Sequence, residues 1–344
     1  MSKISLAVKY RPHGWDSVVE QDSTKIILQQ QLEAGEVQHA YLFVGSAGCG
    51  KTTCARIFAN DINKGMGTPI ELDAASNNGV DDVRDIIQKA KLKSLDSEYK
   101  VFIIDECHSL SNQAWQAFLK LLEEPPAKSL FIFCTTNPEK IPRTILSRVQ
   151  RYDFQRISQQ GIVKRLFYIL SQEYGQDASY YLQNDGALEY IAKIADGGMR
   201  DAITMMDKCL AYSDELTVEN VVKVLGTVDY KVMEDLTVAI TKGNGRIVVE
   251  TIEEVHAEGK DLHQFMKSYL QFVLDVYKYT LTKSFDYITI PQTEEAWLKN
   301  VVGGGFVVVD SILSPLVRLI DAIKYDASPK TVIEVRLLEL TMED

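Results

Sequence analysis

The sequence predicts an α/β domain built on a parallel sheet, followed by a small helical domain and a longer all-helical one. Three observations carry this reading. Short apolar runs alternate with amphipathic segments through residues 1–157, as where helices connect the strands of a sheet. From about Ser158 onward, apolar residues instead recur every three or four positions, the helical period. Charge divides at the same place. Residues 1–157 hold 19 Lys and Arg against 19 Asp and Glu, whereas 158–344 hold 18 against 29 and carry the whole net charge of −11. The expected domains are 1–157, 158–224 and 225–344, in keeping with roughly 100–200 residues per domain.

The expected strands are Ala40–Val44, Ile70–Leu72, Val101–Ile104, Leu130–Cys134 and Tyr152–Phe154. Three of them are nearly continuous apolar runs, the pattern of strands covered on both faces. Helical patterns follow at Ile162–Leu170, Ala187–Ala195 and Ala202–Leu210. A break is expected near Leu225-Gly226-Thr227-Val228, before a longer helical pattern at Leu262, Phe265, Met266, Tyr269, Leu270 and Val273. Those side chains read as helix-packing core. Gly303-Gly304-Gly305 reads as a joint, because no Lys-Ser/Thr follows to make it a phosphate loop.

Composition narrows the function classes. At 46% hydrophobic and 25% charged the chain is ordinary globular protein, which excludes wholesale disorder, collagen and coiled coil. No apolar run reaches the ~18–20 residues of a membrane span. The start, Met1-Ser2-Lys3-Ile4-Ser5, lacks the apolar stretch of a signal peptide, so a cytoplasmic protein without a membrane partner is expected. Cys49, Cys54, Cys107, Cys134 and Cys209 form no C-x-x-C pair, which points to neither disulfides nor structural zinc. The acidic second half suits no phosphate-tracking surface, whereas the first half has room for a local basic stripe.

Gly45-Ser46-Ala47-Gly48-Cys49-Gly50-Lys51-Thr52 fits G-x-x-x-x-G-K-[ST] in full. The glycines let successive backbone N–H groups curl around phosphate oxygens. Lys51 would reach the β- and γ-phosphates of ATP and the Thr52 hydroxyl would hold Mg²⁺. An apolar strand precedes the loop and a helical pattern, Thr53–Ile62, follows it, so the helix dipole adds attraction for anions.

The apolar strand Val101–Ile104 ends in Asp105-Glu106 and delivers two carboxylates at its carboxyl edge. Asp105 would hold Mg²⁺ and Glu106 would polarise an attacking water. Cys107-His108 completes a D-E-x-H tetrapeptide, but the further helicase signatures are missing and His108 reads as a local structural residue. Thr135-Thr136-Asn137 ends the next strand. A polar side chain there would sit near the γ-phosphate, although an Asn before Pro138 is equally a turn former.

Further motifs give these residues a context. They are Lys9-Tyr10-Arg11-Pro12, Val18-Val19-Glu20-Gln21, His39–Phe43, Asp73–Ser76, Leu119–Pro126, Ile145–Arg148, Arg200-Asp201-Ala202, and Ser328-Pro329 with Glu334, Leu337, Leu338 and Leu340. Together with the phosphate loop they resemble the clamp-loader ATPases of the AAA+ superfamily. The likeness is dense to about residue 210 and thin from 225 to 325. It implies that Tyr10, Arg11, Pro12, Val18 and Val19 form the adenine side of a nucleotide site completed by residues 45–53, Thr53 included. It also implies that Asn137 is the first sensor, Arg200 the second, and Arg148 an arginine finger offered to a neighbouring subunit's ATP.

By the same resemblance the chain would be the ATP-hydrolysing subunit of a five-membered loader ring containing several copies of it. Its partners would be the other loader subunits, a sliding clamp and primer–template DNA, in a bacterium or encoded by a phage. Asn77, Asn78, Arg84, Lys89, Lys91 and Lys93 would line the DNA-facing side, although a charged helix face is also often merely solvated. Three departures from the family pattern stand out. Val149 replaces the Cys after Ser147-Arg148, a short link from Asn60 to Thr68 replaces a four-cysteine zinc module, and no extension follows the collar, so a polymerase or helicase tether of that kind is not expected. A non-catalytic stator subunit and a branch-migration or initiator motor are the rivals. The intact Lys51, Asp105 and Glu106 speak against the first, and the acidic C-terminal half against the second.

Overall fold

Five strands pair in parallel throughout, in the order β2-β3-β4-β1-β5. The computed structural model describes residues 4–94, 96–175, 186–225, 230–303, 309–324, 326 and 328–342. They fall into two compact units, Met1–Gln183 with Ile191–Ala211, and Asn184–Tyr190 with Tyr212–Asp344.

In chain order the first unit holds α1 (Leu6–Lys9), α2 (Asp22–Ala34), β1 (Ala40–Val44), α3 (Lys51–Ile62), β2 (Ile70–Asp73), α4 (Val80–Lys91) and β3 (Lys100–Asp105). It continues through α5 (Asn112–Glu123), β4 (Ser129–Thr135), α6 (Arg143–Leu146), β5 (Gln150–Asp153) and α7 (Gln159–Tyr174). After α8 (Ala187–Ile194), which crosses the division, comes α9 (Met199–Tyr212).

The central strands are apolar between their polar ends, as at Val101–Ile104 and Leu130–Cys134, because each face of the sheet meets helices. Leu42, Phe102, Ile104, Phe131 and Phe133 pack with Val83 and Ile86 of α4 and with Trp115 and Phe118 of α5. The alternate residues Tyr41, Phe43, Ile103 and Ile132 pack on the other face with Leu28 of α2 and with Cys54 and Phe58 of α3. The period of two, masked in the composition, reappears as a division between two cores. Edge strands β2 and β5 keep exposed positions instead.

β5 begins two residues before the expected start and ends one before Phe154, because pairing with β1 sets its limits, from Tyr41 opposite Gln150 to Val44 opposite Asp153. Phe154 still donates its N–H to Val44 O, so apolarity continued past the strand proper.

The second unit contains α10 (Val218–Leu225), α11 (Tyr230–Thr241), α12 (Gly245–Ala257), α13 (Leu262–Thr282), α14 (Glu295–Gly303), α15 (Val309–Ile323) and α16 (Pro329–Leu340). Residues 226–228 of the expected break, and Gly304 and Gly305 of the expected joint, lie outside the described residues. Among the described residues no helix is long and apolar enough to cross a membrane. Helix α13 is the spine of this core, with Phe265, Met266, Tyr269 and Val273 buried at the helical spacing and Leu270 partly buried.

One charged residue lies inside that core. Asp275 is fully buried and accepts hydrogen bonds from the Thr289 N–H and hydroxyl, the Ile290 N–H and the Gln271 amide. The carboxylate thus satisfies the turn that follows α13. Desolvation nevertheless holds its pKa above the ordinary 3.8. In the window above that value the native state keeps a proton that the unfolded chain has released, so this group's contribution to stability falls as pH rises through it. Asp275→Ala strands several buried donors and is expected to cost about 3–5 kcal/mol in denaturant unfolding. Asp275→Asn retains an acceptor for Thr289 and Ile290, and should cost far less and flatten the pH dependence.

Candidate active site

Parallel pairing brings all five carboxyl ends to one edge of the sheet, and the candidate residues gather there. β1 lies between β4 and β5, and β4 separates it from β3. The loop after β1 leaves the sheet at Gly45, whose N–H still bonds Thr135 O at 3.2 Å. It curls through Gly48 (φ 70°) and Gly50 (φ 108°) before α3 starts at Lys51. Gly48 has a second constraint. Its carbonyl accepts the Met199 N–H at 3.1 Å, and a Cβ there would stand 3.1 Å from the Gly198 Cα. The first turn of α9 is therefore docked on the loop, and Arg200 lines the cavity beside it.

Lys51, only 5% exposed, donates to Gly45 O at 2.9 Å and Ser46 O at 2.8 Å. Thr52 Oγ1 donates to Asp105 Oδ2 at 2.8 Å, while Asp105 Oδ1 accepts the Glu106 N–H at 3.0 Å. A hydroxyl and a carboxylate meeting next to the loop are the hard oxygen donors that Mg²⁺ prefers, so the residues fit that ion. Glu106 adopts a left-handed backbone (φ 45°), costly for a residue with a Cβ. Its carboxylate accepts from Thr136 Oγ1 at 3.0 Å and faces His108 Nδ1 at 3.2 Å. His108 Nδ1 also lies 3.1 Å from Thr135 Oγ1.

A cavity of about 300 Å³ joins these groups to the N-terminal segment. Tyr10, Arg11, Pro12, Val18 and Val19 line one end; residues 47–53, Asp105, Glu106 and Arg200 line the other. Tyr10 is fixed to α7, for its hydroxyl bonds Glu173 and its carbonyl accepts Arg165 Nη2 at 2.8 Å. Burial and the Glu173 carboxylate push the Tyr10 hydroxyl up to about 12.

Of the expected nucleotide-site and catalytic residues, Gly45, Ser46, Asn137 and Arg148 lie outside the cavity lining. Asn137 donates its backbone N–H to Thr135 Oγ1, whereas Thr136 is the residue of that turn that reaches Glu106. Arg148 follows α6 and pairs with Glu123 of α5 at 2.8 Å. Asn77, Asn78, Arg84, Lys89, Lys91 and Lys93 are all exposed, on α4 or flanking it, opposite its buried Val83, Ile86 and Ala90.

Sequence reasoning gave no role to Gln21. This buried side chain accepts the Gln155 N–H and donates to Gln155 O and Cys49 O, tying the phosphate loop to the chain after β5. Glu20 accepts the Ser158 N–H and hydroxyl. Both residues have left-handed backbones, at φ 56° and 59°. Two consecutive polar residues after Val18-Val19 were the available signal; their partners, 28 residues away at Cys49 and more than 130 away at Gln155 and Ser158, left none.

A phosphate cradle after β1, carboxylates at the end of β3 and a helix docked on the cradle are the construction of an AAA+ ATPase. Family models match three consecutive stretches of the chain: DNA polymerase III, delta subunit, over 68–158; the DNA polymerase III clamp loader subunit ATPase lid domain over 161–215; and DNA polymerase III subunits gamma and tau domain III over 216–308. The DNA polymerase III subunit tau of Bacillus subtilis is 40% identical over 301 residues, 81% of this chain and 52% of that one. The Escherichia coli subunit tau is 34% identical over 281 residues, 75% and 43% of the two chains. The chain belongs to the gamma/tau-like clamp-loader ATPases, and it spans about half the length of these relatives or less. Among solved structures, the Thermotoga maritima RuvB Holliday junction branch migration motor is similar at a TM-score of 0.48 and 23% identity, over 67% of this chain and 79% of that one.

The loop's close fit is directly testable. A Cβ on Gly45 would lie 2.6 Å from Phe154 O and 2.9 Å from Phe154 Cβ. Gly45→Ala must therefore push β1 from the chain after β5, which is expected to cost about 1–3 kcal/mol and to weaken binding of a fluorescent ATP analogue. Gly14→Ala, where a Cβ meets nothing within 4 Å, should leave both stability and binding near wild type.

Proposed function

We propose that this chain is the ATP-hydrolysing subunit of a DNA replication clamp loader, and that it uses ATP to open a sliding clamp and place it on primer–template DNA. The observation that carries the reading is the cluster Lys51, Thr52, Asp105 and Glu106 at one sheet edge, in a chain of the gamma/tau-like family. A scaffold subunit needs no strained glutamate beside a phosphate cradle.

In this reading the backbone N–H groups of residues 47–52 bind the phosphates, Lys51 turns from its loop carbonyls to the β- and γ-phosphates, and the apolar end near Val18 and Val19 takes adenine. A magnesium ion held by Thr52 and Asp105 would neutralise charge on the phosphate oxygens. Glu106 orients the attacking water. Thr136 and His108 hold the carboxylate ready, and Asn137 in the same turn senses the γ-phosphate. Arg200 reports the bound nucleotide to α9, whose start is bonded to Gly48. The proposed domains are the ATPase, 1–157, a lid, 158–224, and a collar, 225–344.

In this reading the site is completed for hydrolysis only at a subunit interface, where Arg148 of one chain meets the ATP of the next in a ring with other loader subunits. DNA would contact the exposed residues Asn77, Asn78, Arg84, Lys89, Lys91 and Lys93 through its phosphates, independently of sequence. Structural zinc is not part of the proposal. The five cysteines form no C-x-x-C pair, the spacing that would suggest a structural zinc site.

Glu106→Gln keeps shape and hydrogen bonding to Thr136 but cannot take a proton. ATP binding is expected to persist while turnover falls at least about 100-fold, as for loss of a general base. Near-normal turnover in the assembled complex would remove Glu106 from the role. The trans arrangement is tested by mixing Arg148→Ala subunits with Lys51→Ala subunits. Each alone should be almost inactive, since fingers of this kind are worth about 10³–10⁵ in rate. A mixed interface supplies Lys51 from one chain and Arg148 from the other, so verified mixed complexes should recover part of the activity. An isolated monomer hydrolysing ATP at the full rate would end the trans assignment.

A further inference from the structure

Arg148 is already engaged within its own chain. Its Nη2 donates to Glu123 Oε1 at 2.8 Å, and its Nη1 donates to Thr144 O at 2.7 Å and to Ser147 Oγ at 3.2 Å. Glu123 is the last residue of α5, and the pair links that helix to the turn after α6. The Arg148 side chain is 34% exposed and that of Glu123 51%, so a neighbouring molecule can reach both.

A carboxylate and a terminal phosphate compete for the same guanidinium donors, because both are anionic acceptors in the geometry Arg prefers. Beside Glu123 part of the positive charge of Arg148 is offset, which weakens its pull on any second anion. We propose that Glu123 is a positioning residue acting through Arg148: it competes with the adjoining subunit's γ-phosphate for the finger and holds hydrolysis down until the interface closes. This inference rests on the trans role proposed above for Arg148.

The contact suits exchange. It uses one carboxylate oxygen and one guanidinium nitrogen, not a two-bond fork, and it is open to solvent, so its hold is modest. The bonds to Thr144 O and Ser147 Oγ come from the turn itself and keep the guanidinium aimed once Glu123 releases it. The finger would thus change partners without losing its orientation.

The test uses the full chain assembled with its loader partners, with ATP turnover measured with and without DNA. Glu123→Gln, which keeps the shape but removes the charge, should raise turnover without DNA about two- to fivefold, the range an exposed ion pair can shift an equilibrium. The rise should appear in kcat and leave KM for ATP unchanged. Glu123→Ala, which removes the acceptor altogether, should act in the same direction, and neither change should have any effect in an Arg148→Ala background. If Arg148→Ala abolishes turnover while both Glu123 variants leave it unchanged or lower it, the inference is wrong and the finger stands. A rise that persists without Arg148 overturns it equally. Full activity of assembled Arg148→Ala would remove the finger and the inference together.

Discussion

The Thr52 hydroxyl and the Asp105 carboxylate meet at 2.8 Å although their strands are not neighbours. β4 stands between β1 and β3, so the two backbones run about 9–10 Å apart, twice the spacing of paired strands. The loop after Gly45 and the first turn of α3, which carries Thr52, close that distance. The bond therefore depends on three strands being parallel and in register, with Val44 opposite Thr135 and Ile104 opposite Phe133. It also decides what lies between them. Because β4 ends at Thr135, the next residue falls between phosphate loop and carboxylates, and there Thr136 bonds Glu106. A slip of one residue in β4 would turn Thr135 away and break the contacts to His108 and Glu106 as a set.

That dependence explains what was readable in the sequence. Gly45–Thr52 and Asp105-Glu106 could be located because each is contiguous and the chemistry sits in adjacent letters. The two-faced core was legible as apolar runs, though not which helix covers which face. Side chains that meet only through the fold could not be located this way. Thr136 and Glu106 are 30 residues apart on neighbouring strands, and the sequence read the more conspicuous Asn137 in that turn. His108, read as local structure, faces the Glu106 carboxylate. Gln21 reaches Cys49 and Gln155 from a left-handed residue with no glycine to mark it. The limits of β5 escaped for a related reason, since pairing with β1 and not apolarity defines them.

The docking of α9 shows how the nucleotide site and the helices after the sheet become one device. Gly197 and Gly198 precede α9, and Gly198 supplies the atoms nearest to where a Cβ on Gly48 of the phosphate loop would stand. Side chains at Gly48 or Gly198 would separate the two backbones, with a Cβ on Gly198 meeting Ala195 O at 3.1 Å and Ala47 O at 3.4 Å. The N-terminal segment adds a second tie. Leu6 donates its N–H to Asp207 of α9, and Tyr10 is bonded to Glu173 and Arg165 of α7. A nucleotide seated between Val18, Val19 and the loop thus touches elements already joined to α7 and α9, and a shift in either end of the cavity must move both.

The same economy governs the polar groups. Lys51, Thr52, Glu106 and Arg148 each have a protein partner: loop carbonyls, Asp105, Thr136 with His108, and Glu123. Each exchange of a protein partner for a phosphate or water gains only the difference between two hydrogen bonds, about 0.5–1.5 kcal/mol for a neutral pair and more where charge is involved. Tight binding then cannot come from any one of these groups. It must be summed across the cradle, and losing a single exchange partner alters timing more readily than occupancy. Among the four, only Arg148 is proposed to exchange toward the nucleotide of another subunit, so in the proposed ring it alone would make the rate depend on assembly.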